Sequence, residues 1–140
     1  MQRPGVEGGY GDGVEAPAQR RELRLVGDEV LKMVAQTLLS NMRSFDFVFR
    51  WGGEEFIVII ANVDRQKLKN SAERLRVMAQ NAAYKNGKDE IRVTVSIGGT
   101  MALPPDSIQS VLARIDEFMY MCKERGRNLC IVDGSVCHPE

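Results

Sequence analysis

The chain has 140 residues, 44% of them hydrophobic, and sets 19 Lys plus Arg against 19 Asp plus Glu for a formal net charge of zero. That size and apolar content suit one domain with a substantial core, and the charge balance argues against nonspecific binding to nucleic acid or a membrane surface, which takes a basic excess. The longest fully apolar run, 56–61, is too short to span a bilayer, no charged-then-apolar leader opens the chain, and Cys122, Cys130 and Cys137 lack metal-ligand spacing; together these predict a cytoplasmic chain with reduced thiols.

Residues 1–20 are rich in Gly and Pro and show no periodicity, which predicts a disordered tail. Arg20 to Val26 alternates charged and apolar residues, as a short strand or as the approach to a helix. From Asp28 the pattern is helical: Val30, Val34 and Leu38 recur every four residues, with Asp28 placed as an N-cap or first-turn acid. Phe45, Phe47, Phe49 and Trp51 then alternate with Asp46, Val48 and Arg50, predicting a strand whose aromatic face is packed on a core. Gly52-Gly53 reads as a hairpin turn. It leads into a strand at 55–61 that is apolar on both faces and therefore belongs inside a sheet.

A second helix is predicted from Asp64 to Asn86, with Glu73, Arg74 and Arg76 on a solvated face and Asn86-Gly87 as its C-cap. Residues 91–97 alternate as a strand with one polar face, stopped by Pro104-Pro105. Ser107 caps a last helix whose buried stripe is Val111, Ile115, Phe118 and Cys122. Gly126 closes that helix, 129–132 form a short strand, and the chain from Asp133 is expected to be loose. The order helix, hairpin, helix, strand, helix, strand predicts an α/β (α+β) sandwich with helices packed on a mixed sheet.

The chemistry concentrates in Arg50-Trp51-Gly52-Gly53-Glu54-Glu55-Phe56. Ionised carboxylates at the mouth of a buried strand need a partner, and a divalent metal fits adjacent oxygen-rich side chains. On a strand Glu54 and Glu55 face opposite ways, so only one of them serves a given site. The glycines admit a flat or phosphorylated ligand close to the backbone. Solvated turn glutamates are the plain alternative. Lys123 and Arg127 read by themselves as ordinary cations at the C-terminal end of a helix. Arg43 and Asp46 read by themselves as a helix-end arginine paired with a turn aspartate.

This stretch resembles the signature loop of GGDEF domains, the diguanylate cyclases, in its Glu-Glu form. Gly27-Asp28-Glu29-Val30-Leu31, Val95-Ser96-Ile97-Gly98 and the run from Ile115-Asp116-Glu117 to Gly126-Arg127-Asn128 resemble further family motifs in the right order. The resemblance implies a nucleotidyl-cyclase-like, mainly antiparallel sheet flanked by helices. It also implies condensation of two GTP into cyclic di-GMP across a head-to-head homodimer, with Mg2+ or Mn2+ as cofactor and an upstream sensory or regulatory domain. On matching positions it makes Glu54 and Glu55 the catalytic carboxylates, with Glu54 the metal ligand. Asp28, Gly52, Gly53, Lys123 and Arg127 become substrate-binding residues, and Arg43, Asp46 and Arg74 an inhibitory site for cyclic di-GMP.

Residues 1–26 contain no counterpart of the family's Asp-x-Asp-x-Phe-Lys-x-x-Asn-Asp strand. The expectation is therefore a domain at 21–133 without its N-terminal helix and first strand, a tail at 134–140, an uncovered sheet edge, and weak or absent turnover.

Overall fold

A computed structural model describes residues 2–7 and 17–137, with side chains from residue 27 onward. The expected tail residues at 8–16 and 138–140 lie outside the described residues. The elements in order are β1 (Gln2–Glu7), α1 (Pro17–Ser40), β2 (Phe47–Gly52), β3 (Glu55–Ile59), α2 (Arg65–Asn81), β4 (Tyr84–Asn86), β5 (Asp89–Ile91), β6 (Thr94–Gly99), α3 (Ile108–Glu124), β7 (Cys130–Val132) and β8 (Ser135–Val136).

Six strands form one sheet in the order β2-β3-β1-β6-β7-β8, and β4 and β5 form a separate hairpin. Every neighbouring pair is antiparallel except β6 with β7. The fold is thus the expected α+β class with a mainly antiparallel sheet.

The first strand corrects the expected tail. Gln2–Glu7 lies between β3 and β6, with Gly5 opposite Glu55 on one side and opposite Ser96 on the other. Pro4 and Gly5 are poor strand formers. Two long strands with open backbone rows nevertheless supply pairing from both sides, and that overrides local preference. The sheet position between β3 and β6 is thus filled by β1.

Helix α1 also begins earlier than expected, at Pro17, so Asp28 lies inside it and is not its cap. The caps of the other two helices stand where expected. The Asp64 side chain accepts from the Lys67 backbone N–H, and Ser107 and Ser110 form a capping box. Helix α2 stops at Asn81, and Asn86-Gly87 turns the β4–β5 hairpin instead, with Gly87 at φ +65°.

The two sheet faces are covered unequally. Val34 and Leu38 of α1 and Leu68, Ala72 and Leu75 of α2 share one core with Phe56, Val58, Val95, Ile97, Cys130 and Val132. Alternation along β6 turns Ser96 and Gly98 to the other face, where α3 packs through Val111, Ile115 and Met119. Met119 takes the stripe position expected for Phe118, which is half-buried. With helices on both sides, β6 has no polar face: Ser96 is 1% exposed.

Helix α3 packs on β6, β1 and β7 and does not extend over β2. The expectation for β2 is therefore reversed. Val48 packs on the core, while Phe47, Phe49 and Trp51 are exposed on this edge strand, Phe47 and Phe49 stacked with ring centroids 6.3 Å apart.

The C-terminal segment is likewise better held than expected. Asp133 sits at φ +49°, and β8 pairs back on β7. That hairpin joins Cys130 and Cys137 in a disulfide with Cα atoms 5.3 Å apart, which corrects the expectation of three reduced thiols. Cys122 remains a buried free thiol, pushed up to about 11 by burial.

Asp133 accepts from Arg65 Nε at 2.8 Å and from the Thr100 hydroxyl at 2.6 Å. Nearby, Arg114 donates to both oxygens of Asp106 at 2.7 and 2.8 Å. Burial raises the Asp133 carboxyl, but the hydrogen bonds from Arg65, Thr100 and Met101 outweigh it and the net shift is downward. The Arg114 guanidinium, helped by the Leu103 N–H, holds Asp106 well below the usual carboxylate range. A folded value below the unfolded one gives stability that is complete above the unfolded value and lost as pH falls through the folded one. Thermal midpoints should therefore be level from about pH 5 to 7 and fall below about pH 4, and Asp133→Asn should flatten part of that fall. Among the described residues no helix is long and apolar enough to cross a membrane.

Candidate functional site

The β2–β3 turn is built tightly and left open on its outer side. Gly52 pairs with Glu55, and Gly53 takes φ +49°, a left-handed conformation that disfavours side-chain-bearing residues. A Cβ at Gly52 or Gly53 would meet nothing within 4 Å, so the surface over the turn is accessible to a ligand. Arg50 donates from Nε and Nη2 to the Gly53 carbonyl at 3.0 and 2.7 Å, locking the turn from within its own hairpin. Sequence reasoning missed this arginine, because its contact exists only once the chain has folded back on itself. Glu54 is exposed and Glu55 half-buried.

Beside the turn, a cavity of about 410 Å3 opens between α1 and the hairpin. Asp28, Leu31, Lys32, Ala35 and Leu39 form its helical wall, and Val48, Arg50 and Phe56 its sheet wall. Asp28 is thus an exposed carboxylate at an otherwise largely apolar slot.

Lys123 and Arg127 were expected on one helical face. The helix ends at Glu124, and Arg127 belongs to the loop beyond it. Gly126, Arg127 and Asn128 are consecutive left-handed residues at φ +97°, +68° and +49°. Contacts that hold this loop include Arg127 N–H to the Cys122 carbonyl at 2.8 Å, Asn128 N–H to Ser96 Oγ at 3.1 Å, and Arg76 Nη1–H to Asn128 Oδ1 at 2.7 Å. Ser96 and Glu55 flank the same β1 residue, Gly5. The loop is therefore anchored two strand spacings, about 10 Å, from the base of the glycine turn.

Arg43 and Asp46 are brought together at the other end of β2, roughly 17 Å from the turn along the strand. Asp46 accepts from the Arg43 N–H at 2.9 Å and the Ala61 N–H at 3.2 Å, and Arg43 Nη2 donates to the Ala61 carbonyl at 2.8 Å. The Asp46 side chain is 4% exposed and that of Arg43 58%. Asp46 therefore clasps the α1–β2 loop to the segment just after β3, while Arg43, held by the Ala61 carbonyl and 3.5 Å from Asp46, stays largely solvent-exposed. Arg74 is exposed on α2, with no hydrogen bond or ion pair to either among the described residues.

For a divalent metal the donor set is thin. Among the described residues, no three Asp, Glu, His or Cys side chains gather to hold an ion.

The family described as "Diguanylate cyclase, GGDEF domain" matches residues 24–129. Diguanylate cyclase DosC of Escherichia coli K12 is 38% identical over 104 residues, 73% of this chain and 22% of that protein. Response regulator PleD of Caulobacter vibrioides is 37% identical over 109 residues, 76% of this chain and 24% of that protein. The chain thus spans about a quarter of the length of these curated relatives. In fold it is similar to the GGDEF domain of DgcB from Caulobacter crescentus, solved in complex with c-di-GMP. The TM-score is 0.78 at 24% identity, covering 96% of this chain and 77% of that one. The chain belongs to the GGDEF family of diguanylate cyclase domains.

Proposed function

We propose that this chain binds GTP in the α1–hairpin cleft and acts as a diguanylate cyclase domain. Two copies, head to head, would join two GTP into cyclic di-GMP. The observation that carries the reading is the convergence of Asp28, the open Gly52-Gly53 turn and the Arg127 loop at one end of the sheet. In this reading Asp28 accepts from the guanine edge and the turn lies against the nucleotide. Lys123 and Arg127 meet its phosphates. In each of two steps a 3′-hydroxyl attacks the α-phosphorus of the other GTP. A new P–O bond forms, pyrophosphate leaves, and Glu54 takes the hydroxyl proton. An upstream sensory or regulatory domain and a cytoplasmic setting go with this reading.

Mg2+ or Mn2+ supplies charge neutralisation at the triphosphate in this class of reaction. Glu54 and Glu55 are the carboxylates of the turn. A second reading, nucleotide binding with little turnover, is favoured by the absence of a three-donor cluster among the described residues. Chromatography of a GTP and Mg2+ reaction separates the two. The expected result is slow cyclic di-GMP formation, abolished in Glu54→Gln, while titration with a non-hydrolysable GTP analogue shows binding in both proteins. Fast turnover would overturn the second reading, and a flat titration would overturn both.

The exposed side chain of Arg43, beside Asp46, is proposed together with Arg74 on α2 as a product-inhibition site for cyclic di-GMP. Calorimetry should give micromolar-range binding, weakened roughly ten-fold or more in Arg43→Ala by loss of a charge-assisted hydrogen bond. Equal affinity in the variant would remove Arg43 from the site.

A further inference from the structure

Glu73 was expected on a solvated helix face but is 7% exposed, and its partner Arg76 has a side chain only 16% exposed. Arg76 donates from Nε to Glu73 Oε2 at 3.0 Å and makes a second, close contact from Nη2 to Oε1. A buried ion pair is weak evidence for stability, since apolar residues of similar volume often serve the fold as well. What this pair does that apolar residues could not is point a third N–H, on Nη1, at Asn128 Oδ1 across 52 positions of sequence.

The receiving loop needs such a hold. Left-handed backbone is unfavourable for residues with a Cβ and persists only where the surroundings enforce it. Arg127 and Asn128 both adopt it. The Asn128 backbone is tied to Ser96 in the sheet, and its side chain is tied to α2 through Arg76. Arg127 is the residue immediately before this double anchor.

We infer that Glu73 and Arg76 are positioning residues for the nucleotide site: Glu73 orients Arg76, Arg76 fixes Asn128, and Asn128 sets where the Arg127 guanidinium is presented. The inference rests on the reading that Arg127 meets the phosphates of GTP.

The test uses the full chain with Arg76→Met, Glu73→Gln, Asn128→Gly and Arg127→Ala, plus the Asn128→Gly/Arg127→Ala double variant. Asn128→Gly suits the left-handed backbone and deletes only the side-chain contact, so it keeps the test open should Arg76→Met fail to fold. A non-hydrolysable GTP analogue should bind about ten-fold more weakly to Asn128→Gly, while guanosine, which has no phosphate, binds as before. The double variant should lose no more than Arg127→Ala alone, because the two changes act on one contact. Amide hydrogen exchange at residues 126–128 should rise in Asn128→Gly and Arg76→Met. Equal losses for the analogue and guanosine, additive losses, or unchanged exchange would each overturn the inference. Arg127→Ala without effect on the analogue, alongside raised exchange at 126–128, would overturn the phosphate role of Arg127 and leave the clamp as a structural device only.

Discussion

Gly98→Val is expected to leave little folded protein, and Gly98→Ala to lower the thermal midpoint by roughly 10 °C. The cause is the approach of α3 to β6. A Cβ at Gly98 would stand 2.7 Å from the Ile115 carbonyl oxygen and 2.8 Å from the Met119 amide nitrogen. Both are backbone atoms inside a helix, so no rotamer change relieves the clash and α3 must move off the sheet. Ile115 and Met119 are 0% and 5% exposed there, so any displacement opens the contact that buries this face. Overpacking of this kind costs about 1–3 kcal/mol for one methyl, and more for a branched side chain, against a total stability of about 5–15 kcal/mol. Gly52→Ala is the matched control. Its Cβ meets nothing within 4 Å, and no left-handed φ is required there. Its midpoint should hold or rise slightly, because alanine restricts the unfolded chain. Thermal unfolding followed by circular dichroism checks both. A Gly98→Ala midpoint equal to the unmodified chain would mean that α3 is not seated on β6 as described.

Features that depend on neighbours in sequence were legible, and features that depend on which elements meet were not. Asp64 and Ser107 cap their helices by bonding to residues three positions on, so the pattern carries them. The β2–β3 hairpin is likewise local. The first strand was hidden because Gln2–Glu7 is recruited by β3 and β6, both far away in sequence. Alternation along β2 revealed two faces correctly but not which one a helix covers. Hydrophobicity suggested the aromatic face, whereas α3, seated on β6, β1 and β7, leaves that face exposed. The burial of Glu73 was equally invisible, because a charged residue among charged residues on a helix reads as solvated until a partner such as the 126–128 loop arrives. Of the candidate site, the glycine turn was legible, and the motif proposes Glu54 and Asp28 beside it. The Arg50 lock and the Arg127 loop geometry were not, since each depends on chain reversal.

Asp28→Ala is expected to weaken binding of a non-hydrolysable GTP analogue by about 10–100-fold and to erase most preference over the matching ATP analogue. The cleft gives this carboxylate Leu31, Ala35 and Phe56 as apolar neighbours, a setting for a flat base with one polar edge. Guanine presents N1–H and N2–H donors side by side, which two carboxylate oxygens accept together. Adenine offers an acceptor at N1, so the same carboxylate repels it. Each hydrogen bond to a charged group contributes about 1.5–3 kcal/mol, and the exposure of Asp28 puts the pair toward the low end. Asp28→Asn keeps the volume but turns one acceptor into a donor, so it should lose guanine affinity nearly as fully as alanine. Lys32, one turn further along α1, is paired with Glu29 at 3.1 Å, and that pair should remain in both variants. Titration at low metal keeps base recognition apart from any metal dependence of triphosphate binding. If Asp28→Ala binds the guanine and adenine analogues in the same ratio as the unmodified chain, Asp28 does not read the base and guanine selection belongs elsewhere in the cleft.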